Sequence, residues 1–85
     1  MTHSAEAVAD CRVTLYTAQR CHLCERAREI LDAEKVDYLE VEITDDAELE
    51  ARYREWLPVV EIDGERAFVY RIPIDALRRK LAAQS

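Results

Sequence analysis

No apolar run in this sequence approaches the roughly 20 residues that a membrane-spanning helix needs, so no membrane partner is expected. The opening MTHSAEAVAD has neither the basic start nor the apolar centre of a secretory signal, which leaves a cytoplasmic location as the expectation. Positive charge is in deficit, with 12 lysines and arginines against 18 aspartates and glutamates and a formal net charge of −6. Such a chain repels a phosphate backbone at long range, which argues against nucleic acid. Three cysteines are too few and too unevenly placed for the disulfide framework of a small secreted domain. Repeats and low-complexity linkers are absent too. At 85 residues, 49% hydrophobic and 35% charged, the chain has the composition of an ordinary folded protein and room for one domain. An acidic domain this small is expected to be a monomer.

Residues 1–10 are small or polar without periodicity, and are expected to be a flexible tail ahead of a domain spanning 11–85. From Arg12 to Thr17, Val13 and Leu15 fall on one face and Thr14 and Tyr16 on the other, the period of a strand. Leu23, Ala27, Ile30 and Leu31 then recur at helical spacing, which predicts an amphipathic helix ending near Glu34. In DYLEVEI, Leu39, Val41 and Ile43 alternate with Tyr38, Glu40 and Glu42, so this strand is expected to bury the first set and to suit a sheet edge. Thr44-Asp45-Asp46 followed by Glu48 offers a helix N-cap, and Leu49, Tyr53 and Trp56 carry an apolar stripe to Trp56. Trp56 is expected to pack as core or as a wall beside Pro58. Pro58 cannot continue that helix and turns Leu57 toward extended backbone, so LPVVEI opens a third strand. The only glycine follows Asp63 in a hairpin signal that returns the chain as ERAFVY. Pro73 opens a last helix with Ile74, Leu77 and Leu81 as its apolar stripe. The order βαβαββα implies an α/β fold, a four-stranded mixed sheet flanked by three helices.

Cys21 and Cys24 stand where the first strand gives way to the first helix, the end of an α/β sheet that tends to hold ligands. At a helix start, unpaired N–H groups and the positive end of the dipole stabilise a thiolate, and Arg20 and His22 add positive charge beside it. One helical turn brings Cys24 onto the same face, close enough to resolve a mixed disulfide formed on Cys21. Cys21 is then the nucleophile and Cys24 the resolving thiol. Other readings stay open at this point. The pair would be half of a zinc site, but beyond it the chain offers only Cys11, His3 and His22 as ligands of the usual kind. An iron–sulfur cluster shared with another chain or completed by a small thiol needs fewer protein ligands. A non-catalytic interaction module is a further alternative. Cys11 alone is expected to be a semi-buried thiol.

With LYTAQRCHLC at the first helix, WLPVVEIDGE entering the third strand and the βαβαββα order, residues from about 12 to 82 resemble the glutaredoxin-like proteins of the thioredoxin-fold superfamily. The resemblance implies a thioredoxin-like fold and a cytoplasmic thiol-disulfide oxidoreductase acting on protein or small-molecule disulfides through Cys21 and Cys24, with no bound cofactor and no metal. It also implies a cis bond before Pro58, with the backbone of Leu57 offered to a bound thiol or peptide. Arg20, His22, Leu57 and Pro58 are accordingly the candidate substrate-binding residues. Glutathione is a candidate reductant by the same resemblance. Members that use it carry a basic residue, an aromatic and Thr-Val-Pro where this chain has Ala18, Leu23 and Trp56-Leu57-Pro58. They also carry a Gly-Gly pair where Tyr70-Arg71-Ile72-Pro73 stands here, leaving Arg71 or the helix start near Asp75 to meet an anion.

Overall fold

The computed structural model describes residues 12–83, so the expected tail and the expected burial of Cys11 lie outside the described residues. Strand β1 (Val13–Thr17) leads to helix α1 (His22–Ala33) and strand β2 (Tyr38–Glu42). Helix α2 (Ala47–Tyr53) runs into a 3-10 turn (Arg54–Trp56), and strands β3 (Val59–Ile62) and β4 (Glu65–Val69) precede helix α3 (Ile74–Ala83). The sheet order is β2-β1-β3-β4. β2 lies parallel to β1, whereas β3 runs antiparallel to both β1 and β4.

Strand alternation divides the core between two faces of the sheet. On one, Val13 and Leu15 of β1 and Val60 and Ile62 of β3 meet Ala27 and Leu31 of α1 and Leu77 of α3. On the other, Val59 and Tyr16 meet Tyr53 and Leu49 of α2, with Ile43 buried beside them. Removing these side chains from water is the main favourable term in folding. The Asp46 carboxylate caps α2 by accepting the Leu49 N–H at 3.1 Å, as the cap signal in the sequence requires.

Several apolar residues are less buried than expected. Leu39 is exposed, Val41 is half-buried and Ile43 is buried only past the end of β2. Helix α2 has seven residues, too few to roof the whole of edge strand β2. The opposite face of β2 is engaged as well: Tyr38 packs against the α1 side of the core, and Glu40 accepts from Arg28 of α1 at 2.9 Å. Glu40 also accepts from the buried Thr17 hydroxyl at 2.8 Å, satisfying a polar group that would be costly to leave unpaired. Trp56 is not part of the core. The α-helix stops at Tyr53, and Trp56 sits exposed with its ring 6.4 Å from that of Tyr70 and the Arg66 guanidinium 5.6 Å over it. Ile74 is exposed because it is the first residue of α3, where side chains tilt back toward the N-terminus and past the element's own packing surface.

Scarcity of glycine leaves other residues to make the left-handed turns: Arg20 (φ 58°), Lys35 (φ 58°), Asp45 (φ 74°), Asp63 (φ 54°) and Tyr70 (φ 69°). Positive φ at both Asp63 and Gly64 (φ 85°) is the signature of a type I′ hairpin turn, which matches strand twist. Lys35 ends α1 in a Schellman motif, with Val36 N–H donating to Leu31 O and Lys35 N–H to Asp32 O, each at 3.0 Å. Val36 then packs onto the core that holds Leu31. A β-carbon at left-handed φ is unfavourable, and Lys35 is exposed, so its side chain contributes little in return. Lys35→Gly is expected to raise stability by about 0.5–1 kcal/mol in urea unfolding, the strain relieved less the added backbone entropy. Equal or lower stability would mean that the turn carries no such strain.

Candidate active site

Strand directions gather four chain segments at one end of the sheet. β1 and β2 finish there, delivering Ala18–Cys21 and Ile43–Thr44; β3 starts there after Leu57 and Pro58; and β4 finishes there at Tyr70. The turn after β1 is tied to the β2–α2 connection by Ile43 N–H donating to Thr17 O at 2.8 Å and Gln19 N–H donating to Thr44 Oγ1 at 3.2 Å.

Cys21 is the N-cap of α1, with extended backbone (φ −119°, ψ 104°). Its sulfur accepts the Cys24 N–H at 3.1 Å, the place that a serine or aspartate oxygen takes in an ordinary cap. That bond and the helix dipole both favour negative charge on the Cys21 sulfur. The two α-carbons are 5.2 Å apart and the sulfurs lie at disulfide distance. The two sulfurs differ in exposure: Cys21 is half-buried, whereas Cys24 is 0% exposed.

Beside Cys21 is a groove of about 440 Å³ whose lining includes Arg20, Thr44, Glu50, Arg54 and Leu57. Arg20, Cys21 and Leu57, expected together from sequence, thus meet on one surface. The other expected contacts lie differently. The Leu57–Pro58 bond is cis, and Pro58 is buried with its carbonyl accepting the Tyr70 N–H at 2.9 Å. The His22 side chain is 99% exposed, its Nδ1 3.9 Å from Glu25 Oε1, and it lies outside the groove. Thr44, Glu50 and Arg54 were not singled out by the sequence. They come from the β2–α2 connection and α2, and no local motif ties them to the cysteines. Among the described residues, no three His, Cys, Asp or Glu side chains are grouped to hold a metal. An iron–sulfur cluster, whose usual ligands are four thiolates, would therefore need donors from beyond the described residues.

Residues 12–82 match the model of the glutaredoxin-like domain family (DUF836). The chain belongs to that family. It is 36% identical to the target protein XcR50 from X. campestris, with a TM-score of 0.73 over 84% of this chain and 96% of that one. It is 29% identical to the thioredoxin-like protein BC3987, with a TM-score of 0.61 over 79% of this chain and 96% of that one. At 20% identity, glutaredoxin 1 from Francisella tularensis, solved with cacodylate, shares the fold at a TM-score of 0.57 over 85% of this chain and 93% of that one. The architecture is thus thioredoxin-like. No curated protein matches the chain in sequence.

Beneath the groove of this glutaredoxin-like domain, a polar cluster braces α2 against the sheet. The rings of Tyr16 and Tyr53 stack with centroids 4.1 Å apart. Both hydroxyls donate to Glu61 of β3, at 3.4 Å from Tyr16 and 2.9 Å from Tyr53. Ala18 and Leu57, which line the groove above, pack against the same cluster. Burial first, then the neighbouring Tyr53 phenol and the Glu61 carboxylate, push the Tyr16 phenol well above the ordinary tyrosine range. Because the folded state holds this proton longer than the unfolded chain does, the associated stability is intact below the ordinary tyrosine value of 10.0 and is lost as pH rises through the folded value. Stability is expected to begin falling as pH rises above 10.0, and Glu61→Gln should move the Tyr16 ionisation down toward the ordinary value in an ultraviolet titration. An unchanged Tyr16 titration in Glu61→Gln would show that the carboxylate does not act on it.

Proposed function

We propose that this chain is a cytoplasmic thiol-disulfide oxidoreductase that reduces protein or small-molecule disulfides through Cys21 and Cys24. The observation that carries this reading is the asymmetry of the pair: a reachable sulfur capping a helix start, and a fully buried sulfur within bonding distance behind it. No prosthetic group is required, since both electrons transferred come from the two thiols.

In the forward reaction the Cys21 thiolate attacks one sulfur of the substrate disulfide. The Cys21–substrate bond forms as the substrate S–S bond breaks, and the departing thiolate takes a proton from solvent. The Cys24 thiol loses its proton and attacks the Cys21 sulfur, forming the internal disulfide and releasing the second substrate thiol. Two electrons and two protons have then passed to the substrate. A thiol reductant, either a small thiol such as glutathione or a dithiol protein, returns the pair to its reduced state by the same exchange in reverse.

Each element around the pair has a place in this scheme. The Cys24 N–H that bonds the Cys21 sulfur stabilises it as attacking and as leaving thiolate. Leu57, with extended backbone (φ −64°, ψ 144°), lines the groove where the main chain of a substrate would lie, and buried Pro58 fixes that segment from behind. Arg20 contributes positive charge at the rim. His22 projects into solvent, which limits it to a screened charge effect.

The two cysteines are expected to fail differently on substitution. Cys21→Ser should reduce a disulfide substrate no faster than buffer, whereas Cys24→Ser should attack once and accumulate a mixed disulfide visible by mass. Reduced Cys21 should also alkylate faster at neutral pH than a free cysteine peptide. Comparable turnover in Cys21→Ser, or trapping of substrate on Cys24 instead, would overturn these roles.

A further inference from the structure

A second groove, of about 430 Å³, opens between α1 and the β4–α3 connection, and its lining includes Leu23, Arg26, Ile30, Tyr70, Arg71 and Ile72. Leu23 lies between the two cysteines in sequence, so this groove begins at the redox pair. Cys21 itself lines the other groove. Arg26 and Arg71 are exposed, and among the described residues neither side chain forms a recorded hydrogen bond or ion pair. No acid is among the lining residues. In a chain of net charge −6, a pair of unengaged arginines over an apolar floor is a local reversal of sign.

Tyr70 gives the groove a fixed wall. Its N–H donates to Pro58 O and its hydroxyl to Glu55 O, each at 2.9 Å, so both ends of the residue are held. An aromatic side chain fastened in this way presents contact area with little entropy left to lose on binding. The apolar surface also continues past the groove. Leu23, Trp56, Tyr70 and Ile74 are 40–48% exposed, and the sheet topology brings Trp56 and Tyr70 to the end that carries the cysteines. Only Leu39, on edge strand β2, is a large exposed apolar residue elsewhere among those described.

We propose that this groove recognises a disulfide-bonded polypeptide, seating an acidic side chain near its reactive cysteine against Arg26 and Arg71 while apolar neighbours cover Leu23 and Tyr70. The proposal rests on the oxidoreductase reading and names its substrate class. A polypeptide fits the surface better than a small acidic thiol, because a ligand confined to the groove would leave Trp56 and Ile74 bare. The net negative charge of the chain does not forbid an acidic side chain here, since at physiological salt the Debye length is about 8 Å and the nearest charges dominate.

The test uses two short peptides, identical except for Asp or Lys at the positions flanking a central cysteine, each carrying a chromogenic thiol in disulfide linkage. Release of the coloured thiol by the reduced protein gives the ratio of rates. The Asp peptide should react about fivefold faster at low salt, the size expected of one or two exposed ion pairs, with the advantage shrinking as salt rises. In Arg26→Glu/Arg71→Glu the ratio should invert. Equal rates for both peptides in the wild type would overturn the proposal while leaving the oxidoreductase reading intact. A preference for glutathione disulfide over both peptides would place a small acidic thiol in the groove and would equally overturn it. Binding of labelled peptides with serine in place of cysteine, followed by fluorescence anisotropy, separates recognition from chemistry. If the wild type reduces no disulfide at all, including a neutral one such as bis(2-hydroxyethyl) disulfide, the redox reading fails. An Asp preference in anisotropy then still supports acidic-peptide recognition, and no preference overturns it.

Discussion

Between Val13 opposite Ile62 and Tyr16 opposite Val59, β1 and β3 lie antiparallel at the centre of the sheet. Each strand contributes to both core faces: Val13, Leu15, Val60 and Ile62 to one, Tyr16 and Val59 to the other. The same pairing sets the end of β1 beside the start of β3, so Cys21 and Leu57 line one groove although 36 positions separate them in sequence. A slip of one residue would reverse the faces of β3 and bring the Glu61 side chain to the face now occupied by Val60 and Ile62. Core packing and site geometry therefore share one register, and a change that loosens the first displaces the second.

Backbone conformation adds a second constraint at the same end. Arg20 precedes Cys21 and Tyr70 follows β4, and both hold left-handed backbone without being glycine. Sparsely populated conformations persist where surrounding contacts over-determine them. At Tyr70 those contacts are the bonds to Pro58 and Glu55; at Arg20 the neighbouring Gln19 is bonded to Thr44. Side chains therefore occupy turn positions that glycine could fill, and Tyr70 uses its position to wall the second groove.

Much of this was legible from periodicity and punctuation. The two-residue alternation of β1, the helical spacing after Cys21, the Asp46 cap and the Asp63-Gly64 turn each depend on neighbours in sequence, so sequence expresses them directly. The cysteine pair was legible for the same reason, because an N-cap and the next helical turn are local geometry. The cis bond at Pro58 was different: only family resemblance pointed to it. Leu39, Trp56 and Ile74 went astray because their burial depends on how far α2 and α3 extend over the sheet, which hydrophobicity does not encode. Thr44, Glu50, Arg54 and the pairing of Arg26 with Arg71 on one groove were hidden more completely, since tertiary contact alone brings them together.

A dithiol mechanism requires the two sulfurs to behave as one two-electron couple. The decisive observation is a thiol count by mass spectrometry after equilibration in graded dithiol/disulfide buffers and rapid alkylation. The account predicts that Cys21 and Cys24 gain or lose their labels together, over a transition in which about 30 mV corresponds to a tenfold change in the ratio of reduced to oxidised protein. Cysteines that label independently across the series, or a pair that never forms the internal disulfide, would contradict it.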